Sequence, residues 1–156
     1  MFATVKYQMI MFIVMTIVGI LFNAMNALAF RFSDLFLSTT LFYGGLLMAA
    51  NMMWAHEIVH YLSMGHFNAF VFGFGIVLSL LIVFYLLRNQ FLVDDKQWLK
   101  RMISHHSTAI TTTTSLLNKK EYTENNPELR QLAKDIIDTQ EREIKMMKRM
   151  LSSKLN

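Results

Sequence analysis

Cysteine is absent from all 156 residues, which removes disulfides, thiolate zinc sites and thiol catalysis together. No glycine-rich strand-to-helix turn occurs, so no phosphate loop is present, and no stretch shows the pattern of a strand. Basic charge is scarce in the first half: of 15 Lys and Arg, only Lys6 and Arg31 precede Arg88. Where the basic residues do gather, acids are interleaved as on a solvated helix face, which argues against a nucleic-acid partner. What remains is apolar. The chain is 54% hydrophobic with 13 methionines, a composition that points to a membrane protein too short for several domains.

Tyr7 to Phe30 runs without a charge and exceeds the roughly 20 helical residues that cross a hydrocarbon core. Leu35 to about Ala55 reads as a second span, and Phe67 to Leu87, closed by Arg88, as a third. The expected fold is all-α: a membrane domain of three transmembrane helices over residues 1–90, then a soluble two-helix hairpin over 91–156. Arg31, Arg88, Lys96, Lys100 and Arg101 fall on one side and Lys6 on the other, so the hairpin is expected to be cytoplasmic and the segment from His56 to His66 exterior.

In the hairpin, Asp94 followed by Gln97 resembles a capping box, and Leu99, Ile103, His106, Ile110, Thr113 and Leu117 recur at helical spacing. A polar linker folds back near Tyr122. Asn126-Pro127-Glu128 then supplies an N-cap, a first-turn proline and an early acid. The second helix is expected to present Leu129, Ala133, Ile136, Gln140, Glu143, Met147 and Met150 to the first. Level pairing about Tyr122 brings Gln140 within a turn of His105. Such polar groups on an apolar seam either fix register through a hydrogen bond or bind a metal.

The histidine-pair region resembles a known family. Met102-Ile103-Ser104-His105-His106-Ser107-Thr108-Ala109-Ile110, then Pro127-Glu128-Leu129, Leu132-Ala133, Gln140, Glu143-Ile144 and Met147, is similar in order to the ferritin-like "domain of unknown function 305". The resemblance implies a ferritin-like helical module, some members of which are similar to copper-binding or copper-tolerance proteins. It makes His105, His106, Glu143, Gln140, Met102 and Met147 candidate metal ligands, with copper favoured over zinc or iron. Ser104 stands where the family usually has proline. Thr111 to Thr114 stand where many members place methionine.

A second motif lies upstream. His56-Glu57-x-x-His60 has the spacing by which zinc proteases hold metal and a general base, and His66 occupies a third-ligand position. Ser63 replaces the glycine of that pattern, the chain has no substrate-aligning sheet, and the first and third spans carry no further carboxylate, so no enzymatic activity is expected and a membrane zinc metalloprotease using His56, Glu57 and His60 ranks last among the readings. Met48, Met52, His56, His60 and Met64 recur every four residues and make a mixed imidazole and thioether stripe that suits a soft metal. The expectation is a small integral membrane protein that binds or buffers a transition metal and assembles with copies of itself, since two helices alone bury too little. The rival is a non-catalytic structural or assembly protein that oligomerises through the hairpin or joins a larger membrane complex.

Overall fold

A computed structural model describes residues 2–119 and 125–153, with side chains from residue 5 onward. The turn expected near Tyr122 lies outside the described residues. Among those described there is helix and no strand: α1 Phe2–Leu21, a short α2 Ala24–Ala27, a 3-10 turn Phe32–Asp34, α3 Thr39–Met64, α4 Ala69–Leu81, α5 Asp95–Asn118 and α6 Pro127–Ser153. A π-helical segment, Ile82–Leu87, continues α4. The chain divides into two compact units, residues 1–23 with 39–93, and residues 24–38 with 94–156.

In the first unit α3 packs against both α1 and α4. Small residues make this possible. A Cβ on Gly45 would stand 2.7 Å from the Thr16 carbonyl oxygen of α1, and one on Gly75 of α4 would stand 3.0 Å from the Trp54 backbone nitrogen. Bare backbone at such crossings permits close helix approach, a common device where lipid supplies no hydrophobic drive between helices. Asn68 starts α4 by accepting from the amides of Phe70 and Val71.

Among the described residues two stretches, not the three expected, are long and apolar enough to cross a membrane: Val5–Ala27 and Ala69–Leu87. The exception is α3. It begins at Thr39 instead of Leu35, which leaves the apolar Leu35, Phe36 and Leu37 outside the helix, and it runs on to Met64 through the polar His56, Glu57 and His60.

The second unit is a hairpin with a strap. Asp94 accepts from the Gln97 amide at 2.7 Å and Asn126 from the Leu129 amide at 2.9 Å, so both helices start at the expected caps. Leu99, Ile103 and Ile110 of α5 meet Ile144, Met147 and Leu151 of α6 in one apolar cluster. Residues 24–38, between the first two hydrophobic segments in sequence, lie on another face of α5. There the Phe30 amide donates to Ser107 Oγ at 2.8 Å and Thr108 Oγ1 donates to the Met25 carbonyl at 3.0 Å.

Candidate functional site

The expected ligands fall into two places. On the hairpin, His106 Nδ1 lies 3.0 Å from Glu143 Oε2, joining α5 to α6 across their seam. The contact is an ion pair only when the imidazole is protonated. Burial pushes the His106 imidazole below its ordinary value of 6.5; Glu143 opposes that shift and His105 adds to it. His105 is exposed, with its ring centroid 6.0 Å from that of His106.

The remaining hairpin positions are less convergent. Met147 is buried in the apolar cluster and Met102 packs against it. Gln140 is half-buried on α6. Structure thus brings His106 to Glu143, leaves His105 beside them at the surface, and gives the two thioethers a packing role.

His56 and His60 of α3 form a row with His66, which lies just past the end of that helix. Ring centroids are 5.8 Å apart for His56 and His60 and 5.9 Å for His60 and His66, and His60 Nδ1 is 3.1 Å from the His66 carbonyl oxygen. The His56 and His60 rings are nearly parallel, so their in-plane lone pairs run side by side and do not meet at a point. His56 Nδ1 is buried without a partner. Met48, Met52 and Met64 are exposed. Among the described residues no three His, Asp or Glu side chains converge as a metal-ligand set.

Glu57 is the surprise of this region. It is 4% exposed. Its Oε2 accepts from the Asn68 amide at 2.9 Å, and Gln8 Nε2 of α1 reaches Oε1 at a long 3.5 Å. Both oxygens face neighbouring helices, Oε2 the start of α4 and Oε1 the Gln8 side chain of α1. A general base needs a free oxygen aimed at a metal-bound water.

Sequence reasoning missed the most buried polar cluster. Asp34 is 1% exposed; its carboxylate accepts from Ser107 Oγ at 2.7 Å and pairs with Lys148 Nζ at 2.5 Å, while its carbonyl accepts from Ser104 Oγ at 2.8 Å. Arg31 adds a surface pair to Glu141 at 2.9 Å. The available signal was Ser104 and Ser107, one turn apart on α5 and off its apolar seam.

A family model described as a domain of unknown function (DUF305) matches residues 88–151, which include α5 and nearly all of α6. "Uncharacterized protein L153" of Acanthamoeba polyphaga mimivirus is 33% identical over 133 residues, covering 85% of this chain and 83% of that protein. No solved structure matches. The chain therefore belongs to the family of this mimivirus protein and carries a DUF305 domain at its C-terminal end.

Proposed function

We propose that this is a small integral membrane protein whose hairpin supplies half of a transition-metal site, completed by a second copy, with copper favoured over zinc or iron. The observation that carries the reading is the His106 to Glu143 contact, with His105 exposed beside it. Imidazole and carboxylate are ordinary transition-metal donors, and a tetrahedral site needs more of them than one hairpin offers. Facing hairpins would bring four helices together, the arrangement in which ferritin-like sites are built.

Three features support membrane insertion. Two stretches have the length and apolarity to cross. Gln8 of α1 and Asn68 at the start of α4 both meet Glu57, and farther along Thr16 of α1 lies against Gly45 while Gly75 of α4 lies against Trp54, so α1 and α4 run the same way along α3. The chain must then return through α3, whose 26 residues reach about 39 Å, beyond the roughly 30 Å of a hydrocarbon core. Pairing with Gln8 and the Asn68 amide relieves the burden of a carboxyl group there. Residues 24–38 fold with residues 94–156, which supports a common side of the bilayer for the two segments, and the basic cluster around Lys100 favours the cytoplasmic side.

The non-catalytic assembly role is the second reading, favoured by the Asp34 cluster, which ties the strap to the hairpin without any metal. Elemental analysis of protein purified without chelator separates the two. Metal held by the wild-type protein and lost on replacing His105 and His106 by alanine supports the first reading. Metal-free protein that takes up neither Cu(I) nor zinc favours the second.

A further inference from the structure

We infer that the strap, residues 24–38, docks on an anionic phospholipid surface, with Phe30, Phe32, Leu35 and Leu37 in the headgroup layer and Arg101 of α5 beside a lipid phosphate. This rests on the proposal that the apolar segments flanking the strap lie in a bilayer. The strap has two unlike faces. Asp34 and Phe36 turn inward, the first to Ser107 and Lys148 and the second against the apolar cluster of the hairpin. Phe32 is 92% exposed and Leu37 69%, with Phe30 and Leu35 also open. Of the strap's two charged residues the acid, Asp34, is buried and the base, Arg31, is exposed, so the outward face is apolar and carries no negative charge.

Apolar side chains gathered in the open on one short segment mark an interaction surface. The occupant follows from where the segment is tied. Residues 28–38 join Ala27, the last of the first apolar stretch, to Thr39, the first of α3. A loop of this length held at both ends rises about 20 Å at full extension, and the 3-10 turn Phe32–Asp34 shortens it further. The hairpin covers its inner face, and the outer face is left to lipid. Apolar groups tethered at that level sink about 5–10 Å into the boundary between headgroups and acyl chains.

Charge selects the lipid. Arg101 is half-buried, its Nη2 lies against Met25 Sδ, and no carboxylate pairs with it among the described residues. Burial lowers its pKa from the ordinary arginine value, with no acid beside it to offset the loss of water. Met25 lies near the end of the first apolar stretch and also accepts from Thr108 Oγ1, so this part of α5 stands where headgroups begin. Phosphate is the acceptor that suits a guanidinium there. A lipid with net negative charge offers it without a competing headgroup cation, and such lipids give the cytoplasmic leaflet its negative surface potential.

The test uses the full chain reconstituted in vesicles of phosphatidylcholine and phosphatidylglycerol in equal parts. The sequence has no cysteine, so Phe32→Cys carries a single nitroxide, at a site too exposed for the change to disturb packing. Its relaxation should respond more to dissolved oxygen than to a water-soluble nickel chelate, whereas a label at Gln131→Cys, exposed near the start of α6, should show the reverse. Lipid retained on extraction in mild detergent should favour phosphatidylglycerol about fivefold, the worth of one basic residue at an anionic surface. Arg101→Gln should bring that ratio near one, Arg101→Lys should keep most of it, and Lys134→Gln, on an exposed part of α6, should leave it unchanged. A Phe32 label as open to nickel as that at Gln131, or shielded from both reagents as a second copy would shield it, overturns the docking surface. So does equal retention of the two lipids by wild type, or a preference that survives Arg101→Gln. The two proposals fail separately: a chain released from membranes by alkaline carbonate refutes insertion, whereas one that stays embedded with a nickel-accessible Phe32 label refutes the docking of the strap alone.

Discussion

Replacing Asp34 by alanine should release the strap from the hairpin. The side chain is 1% exposed and holds two partners, Ser107 Oγ at 2.7 Å and Lys148 Nζ at 2.5 Å. Removing one member of a buried pair costs about 3–5 kcal/mol when the other charge stays buried. Lys148 is 32% exposed and can regain water, so the loss should be smaller, about 2–3 kcal/mol. Asp34→Asn retains an acceptor for Ser107 and should lose only about 1 kcal/mol. Hydrogen exchange of the full chain in detergent reads this directly, because the Phe30 and Phe36 amides donate to Ser107 and Ser104. At 1.4 kcal/mol per decade, Asp34→Ala should speed exchange in residues 30–36 by about 30-fold or more, with a much smaller change at the apolar seam of α5 and α6. Unchanged exchange in that segment would refute the reasoning, since the carboxylate would then not be holding the strap.

Other expectations concern helix packing, pH and Glu57. Gly45→Ala should destabilise the first unit by about 1–3 kcal/mol, because the new Cβ meets the Thr16 carbonyl, whereas Gly73→Ala meets nothing within 4 Å; equal melting temperatures for the two variants in detergent would count against the crossing. Burial lowers the His106 pKa from 6.5, so the unfolded chain takes up the proton first: stability is full above pH 6.5 and is lost as pH falls through the lower folded value. His106→Gln should flatten this part of the stability profile, and a wild-type profile that instead rises on acidification contradicts it. Glu57→Leu, which strands the Asn68 amide, should cost about 1–3 kcal/mol, while Glu57→Gln keeps an acceptor and most of the stability. Peptidase activity in the purified protein, lost on Glu57→Gln, would return the carboxylate to a catalytic role.

Local signals were readable in the sequence and distant ones were not. Asp94, Asn126 and Pro127 announce helix starts because caps act over three residues. Leu99, Ile103 and Ile110 stand out on α5 since few other apolar residues compete for its buried face. The stripe on α6 was harder: Met150 fits the same spacing, yet it is 46% exposed while Ile144 and Leu151 are buried. Alternating four and three steps specify a broad face, and which edge is buried depends on the partner. The bond from Ser107 to Asp34 spans 73 residues, so the paired serines can mark a polar stripe on α5 but not the partner that meets it. The histidine and glutamate of the hairpin could be nominated from spacing and family resemblance. The burial of Glu57 could not, because Gln8 and Asn68 reach it from two other segments.

The central proposal, a metal shared between two hairpins through His106 and Glu143, is tested most directly by native mass measurement of the detergent-solubilised chain with and without chelator. One metal ion per pair of chains is expected, with chelation, or replacement of His105 and His106 by alanine, removing the metal and returning the protein to monomers. Metal-free wild-type protein that stays metal-free after Cu(I) or zinc is supplied, or a pair that keeps its metal in the double alanine variant, would contradict it.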